Sequence, residues 1–258
     1  MKRLPLSFQC DGTQLAGTLD TGPLATGLLY VTGGNEIRSG AFSGQAALAA
    51  RIAKAGFPVF RFDRRGIGDS DGENLGFRKS RRDIECALAA FKAMAPQVTK
   101  VVGFGNCDAA SALMLAGGAG CDRLVLSNPW TIEGDEDDTP PPAAVRSRYI
   151  EKLKNPKEVL RLLTGGVNIA KLAKGLGQAA KNSSTPSSLA QEMAAGIEGY
   201  TGKVQFLIAT ADRTAQVFES RWDRSDPRIA RCEGATHAYV EAESMAWLEK
   251  QLLAALRG

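Results

Sequence analysis

The chain has 258 residues, 44% of them hydrophobic, enough for one sizeable α/β core with room for an insertion. Thirty-two basic against 28 acidic side chains leave a net charge of +4, too balanced to direct the protein to nucleic acid or a membrane surface by electrostatics. The basic start Met1-Lys2-Arg3 runs into Leu4-Pro5-Leu6-Ser7 with no long apolar stretch behind it. No signal-peptide core or membrane-inserted segment is therefore expected, and a cytoplasmic protein is.

In chain order, residues 15–19 and 26–32 read as strands, the second ending in Gly33-Gly34-Asn35. Residues 43–55 carry helical periodicity, with Gly56 as the C-terminal cap. Residues 58–62 form the next strand and enter a glycine-punctuated loop, Asp63-Arg64-Arg65-Gly66-Ile67-Gly68-Asp69-Ser70. A helix over 81–95, a strand over 98–102, a helix over 108–117 and a strand over 123–127 follow. This alternation predicts an α/β fold: a mostly parallel central sheet with helices on both faces. Residues 128–202 break the rhythm. An acidic run, Pro140-Pro141-Pro142 and helical stretches over 143–153, 156–163 and 169–180 suggest a helical cap inserted into a core made of 1–127 and 203–258, with a polar linker at 181–188. Strands at 203–209 and 228–232 and a helix at 244–256 complete the chain.

The five cysteines, at 10, 86, 107, 121 and 232, are odd in number and lack a Cys-x-x-Cys pair. They fit neither a disulfide framework nor a zinc site, so mostly free thiols are expected, Cys10, Cys86, Cys121 and Cys232 as small core residues. No metal or other cofactor is called for. Cys107 differs from the rest. It sits in Gly103-Phe104-Gly105-Asn106-Cys107-Asp108-Ala109, between a strand and a helix. Small residues two before and two after it, Gly105 and Ala109, are what a nucleophile elbow needs for a turn this sharp.

A thiol nucleophile requires a base, and the chain has one histidine, His237, in a glycine-containing loop past the last strand. Asp212, just after the strand ending at 209, is the expected acid, with Asp223 and Asp226 as competitors. The backbone N–H groups of Asp108 and of the Gly34-Asn35 turn are the expected oxyanion donors. Trp130, at the entrance to the cap, is the candidate for lining an acyl pocket, and a buried packing role competes with it. In the Asp63–Ser70 loop, Arg64, Arg65, Asp63 and Asp69 are candidate substrate clamps.

Nucleophile, acid and histidine in that order, with the Gly33-Gly34-Asn35 turn and the Arg61-Phe62-Asp63-Arg64-Arg65-Gly66 stretch, resemble the α/β-hydrolase superfamily. The Asn106-Cys107-Asp108-Ala109-Ala110-Ser111 elbow resembles more narrowly the exosortase A system-associated hydrolases. The resemblance implies an esterase or thioesterase acting on a small-molecule acyl substrate through a Cys107-His237-Asp212 triad and a thioester intermediate, and it implies that the Asp63–Ser70 loop, with Arg64, Arg65 and Asp69, is structural. An acyltransferase on the same residues, or a binding protein that turns over weakly, are the alternatives.

Overall fold

A computed structural model of the protein describes residues 1–133 and 188–258. The helices expected over 143–153, 156–163 and 169–180 lie outside the described residues. One sheet of eight strands organises the rest, in the order β1-β2-β4-β3-β5-β6-β7-β8. The strands are Arg3–Cys10 (β1), Thr13–Asp20 (β2), Thr26–Val31 (β3), Val59–Phe62 (β4), Lys100–Asn106 (β5), Arg123–Ser127 (β6), Lys203–Ala209 (β7) and Ile229–Cys232 (β8). From β4 to β8 every pairing is parallel, while β1, β2 and β4 pair antiparallel. The central strands read Leu-Leu-Tyr-Val, Val-Val-Gly-Phe and Leu-Val-Leu because a parallel sheet covered on both faces buries consecutive side chains rather than alternate ones.

Two core clusters fill the two faces. Under α1 (Gly44–Lys54) and α6 (Ala242–Arg257) lie Leu28, Tyr30, Phe104, Val125, Leu48, Ile52, Leu248 and Leu252. On the other face, α2 (Arg81–Met94), α3 (Asp108–Leu115) and α4 (Ser188–Glu198) bury Ile84, Phe91, Leu113, Met114, Leu189 and Met193 against Phe60, Phe62, Leu126 and Phe206. A further helix, α5 (Arg213–Arg221), packs Phe218 there, 5.4 Å from the ring of Phe206. The apolar side of α4 thus belongs to the same core as the sheet.

The structure departs from the expected elements in instructive places. β1 was not expected, yet Asp11-Gly12 is the turn that makes it: both residues have positive φ, 49° and 81°, as a two-residue hairpin loop requires. The elbow strand runs on to Asn106, so that Gly103 and Gly105 are strand residues. α5 occupies what reads as loop.

The cysteines need a larger correction. Cys10 and Cys86 form a disulfide, with Cα atoms 5.6 Å apart, and only Cys107, Cys121 and Cys232 are free. Partners 76 residues apart leave no spacing signal; they meet because β1 runs alongside α2. Such a bond closes a long loop in the unfolded chain, and a native link of this kind typically contributes about 2–4 kcal/mol. Reduction, or Cys86→Ala, should lower stability by about that amount, read as a fall in the urea midpoint. A midpoint insensitive to reductant would show that the two sulfurs are not joined.

Candidate active site

The C-terminal ends of β3, β5, β6 and β7 and the loop after β8 converge on Cys107. This residue caps α3 with φ 63° and ψ −130°, a left-sided conformation that costs a side-chain-bearing residue of order 1–3 kcal/mol. Its neighbours explain how the turn is tolerated. A methyl group on Gly105 would stand 2.6 Å from the backbone of Ala109, and one on Gly33 would stand 2.5 Å from the carbonyl oxygen of Asn106. Only glycine lets the β3 loop and the elbow approach this closely.

His237 and Cys107 line the same cavity wall, and the sulfur acts on the imidazole; His237 Nδ1 lies 2.9 Å from Oδ2 of Asp212. Asp212 is the N-cap of α5, where its carboxylate also accepts the backbone N–H groups of Thr214 at 3.3 Å and Ala215 at 3.1 Å. The helix terminus thus supplies two backbone donors to a nearly buried carboxylate. The Asp212 hydrogen bond is the main reason that the imidazole pKa is pushed up to about 10; the Cys107 contact adds to it and burial opposes it. Charge is thereby favoured on the imidazole throughout the neutral range.

The competing acids are engaged elsewhere. Asp226 takes the guanidinium of Arg228 at 2.7 Å and the Trp222 indole N–H at 3.0 Å, and the Arg228 contact holds its carboxyl down at about 2. Asp223 accepts the Ser225 hydroxyl and backbone N–H.

Two asparagines that sequence reading passed over hold the histidine loop. Asn106 and Asn128 both donate to the carbonyl oxygen of His237, at 3.1 and 3.4 Å, and Asn128 also donates to Asn106 and accepts the Ala209 N–H. Asn128 is fully buried at φ 44°. The available signal was an asparagine at the end of each of two adjacent parallel strands, since asparagine tolerates positive φ.

The expected oxyanion donors have unequal surroundings. Asp108 opens α3, where a backbone N–H has no preceding turn to bond to. Among the described residues nothing bonds the Asn35 N–H, whereas the Gly34 N–H donates to the Asp108 carboxylate at 2.6 Å. Arg64, read as structural, reaches this region: it donates to the Gly34 carbonyl and pairs with Asp108. Asp63 and Asp69 instead bind Arg38, and Arg65 binds Asp83.

A cavity of about 580 Å³ opens beside Cys107 and His237 on the α1/α6 face, within the range that holds small ligands. Tyr30, Val31, Phe104, Leu48, Met245 and Leu248 give it apolar walls, and Glu36 and Gln45 add a polar pair joined at 2.7 Å. Trp130 does not line it. That residue packs against the opposite core cluster, its backbone tied to Cys107 and to the Ser111 hydroxyl and its indole to the Ile132 carbonyl. Cys10, Asp11 and Cys86 are the one grouping of metal-ligand residue types among the described residues, and its sulfurs are bonded to each other.

No protein-family model matches the chain, and no curated protein matches it in sequence. Solved structures do match it over its whole length. The chain is similar to the Pyrococcus furiosus esterase PF2001, at 14% identity and TM-score 0.65 over 99% of this chain and 90% of the other. It is similar to the alpha/beta hydrolase GrgF from Penicillium sp. sh18, at 17% identity and TM-score 0.62 over 100% of both chains. It is also similar to a thioesterase domain from the curacin biosynthetic pathway, at 11% identity and TM-score 0.60 over 98% of this chain and 100% of that domain. The chain has the α/β-hydrolase fold.

Because His237 is the single histidine, its imidazole resonances titrate without overlap. The wild-type protein should show no inflection between pH 6 and 8, since the pKa lies near 10. Asp212→Asn removes the charge that raises it, so the inflection should fall toward 6.5, the ordinary value, and His237 should lose its proton within the neutral range. Asp226→Asn should leave the wild-type curve in place.

Proposed function

We propose that the protein is an acyl hydrolase, an esterase or thioesterase, in which Cys107 is the nucleophile, His237 the proton carrier and Asp212 the acid that orients it. The observation that carries this reading is the line from Cys107 through His237 to Asp212, with Cys107 at the tip of a strained elbow and Nδ1 2.9 Å from the carboxylate.

The thiolate attacks the acyl carbonyl, and the resulting oxyanion is met by backbone N–H groups of Asp108 and the Gly34-Asn35 turn. The bond to the alcohol or thiol then breaks, the leaving group takes the proton from the imidazolium, and a thioester remains on Cys107. A water gives its proton to the now neutral imidazole as it attacks the thioester. Collapse of that intermediate releases the carboxylic acid, and the imidazolium–thiolate pair is restored. Asp212 keeps Nδ1 protonated and stabilises the charge on the ring at each stage.

The apolar cavity supports a hydrophobic acyl group as the part of the substrate that the protein grips, with the alcohol or thiol directed away from Leu48 and Leu248. The division into a core (1–127 and 203–258) and an inserted cap (128–202) that admits substrate belongs to the same reading, with α4 at the end of the insertion packed onto the core, as does kinship with the exosortase A system-associated hydrolases. Among the described residues no helix is long and apolar enough to cross a membrane. A cytoplasmic site of action is part of the proposal, although disulfides such as Cys10–Cys86 are commoner in oxidising compartments.

A short pulse of a p-nitrophenyl acyl ester followed by peptide mapping should place the acyl group on Cys107; an adduct on Cys121 or Cys232 instead would overturn the assignment. Loss of the base in His237→Ala should slow turnover by about a hundredfold or more in a folded protein. Leu48→Phe narrows the cavity wall, so kcat/KM for octanoyl esters should fall well below that for acetyl esters, relative to wild type.

A further inference from the structure

Asp108 directly follows Cys107, and its side chain reaches across to the β3 turn. Oδ1 accepts the Gly34 N–H at 2.6 Å, and Oδ2 lies 3.3 Å from Nη2 of Arg64. Arg64 is almost wholly buried; the same nitrogen donates to the Gly34 carbonyl, and Nη1 donates to the Ser80 hydroxyl at 3.2 Å. The carboxylate and the Cys107 side chain border the same spot at the β3 turn: a methyl group on Gly33 would stand 3.1 Å from Asp108 Oδ1 and 3.5 Å from Cys107 Cβ. One of the two N–H groups offered by the β3 turn is therefore already holding an anion.

We propose that Asp108 controls the rate of acylation: its carboxylate occupies the Gly34 donor in the resting protein and must swing wholly onto Arg64 before a substrate carbonyl oxygen can be polarised there. This rests on the acyl-hydrolase reading above. A charge-assisted hydrogen bond is roughly twice as strong as a neutral one, so a neutral carbonyl oxygen entering the site does not match the bond it displaces. As the carbonyl becomes an oxyanion, the neighbouring carboxylate repels it. Arg64 supplies the landing place, because its guanidinium already touches Oδ2 and remains paired after the move. The penalty falls on every step that develops an oxyanion. It spares alkylation of the sulfur, in which no oxyanion forms.

The test compares wild type, Asp108→Ala and Asp108→Asn by two rates at Cys107: pre-steady-state acylation by p-nitrophenyl butyrate and alkylation by iodoacetamide, both read by intact mass. Asn retains an oxygen that can accept the Gly34 N–H but carries no charge, so it separates obstruction by charge from support of the loop. Relative to alkylation, acylation should rise about tenfold or more in Asp108→Asn, a fraction of what one oxyanion donor is commonly worth. Asp108→Ala should show a similar rise if the loop keeps its shape. An acylation-to-alkylation ratio in Asp108→Asn equal to or below that of wild type would overturn the proposal and make the carboxylate a support for the β3 turn. Alkylation of all three proteins without acylation of any would instead overturn the acyl-hydrolase reading, and this inference with it.

Discussion

The site depends on one constrained backbone position. Cys107 stands at φ 63° and ψ −130°, and nothing in its own chemistry favours that conformation. It is held because the surrounding backbone leaves no alternative: its N–H donates to the Ser127 carbonyl at 3.0 Å, its carbonyl accepts from Ala110 and Trp130, and Gly33 and Gly105 close in from either side. The strain directs the sulfur out of the sheet and places the first N–H groups of α3 beside it.

The electrostatics extend outward from that point in two directions. On one side Asp212 draws on the N-terminus of α5 for two backbone donors and then raises the imidazole, so the charged pair is supported by a helix end rather than by solvent. On the other side Asp108 draws on Arg64, and Arg64 on the Gly34 carbonyl and Ser80. The two carboxylates differ in what they do for the sulfur. Asp212 acts through the imidazole, whereas Asp108, next to Cys107 in the chain, takes up the Gly34 N–H that the proposed oxyanion would need.

Much of this was legible in the sequence, and the reasons it stopped are physical. The strands at 123–127 and 203–209 and the helix from Arg81 coincide with the expected bounds because long apolar runs between turn residues have one good reading. Cys107, His237 and Asp212 were identifiable from chain order and from the single histidine, and the structure brings those three together. The networks around them were not. That Arg64 turns toward the β3 loop while Arg65 turns toward Asp83 depends on which way adjacent side chains leave a loop, and no periodicity records that. The Cys10–Cys86 pair and the seat of His237 on Asn106 and Asn128 are contacts across 76 and more than 100 residues. Asp11-Gly12 is different: the hairpin signal was present, and β1 lay behind it.

The placement of the cavity follows from how the two faces of the sheet are filled. On the α2/α3/α4 face, aromatic rings pack to completion: Phe60 stacks on Phe91 at 5.6 Å, and Phe206, Phe218 and Trp222 form a cluster with centroids 5.2–5.4 Å apart. Trp130, half-buried, packs against the core on this same face. The other face is covered by α1 and α6, whose inward residues near the elbow are Gly44, Gln45, Leu48 and Met245. Side chains of this size leave the edge-to-face pair of Tyr30 and Phe104 as the floor of an open volume beside the sulfur. On the proposed acyl-hydrolase reading, this cavity wall is built by α1 and α6, which carry none of the proposed triad, so its shape can change without disturbing the elbow or the histidine.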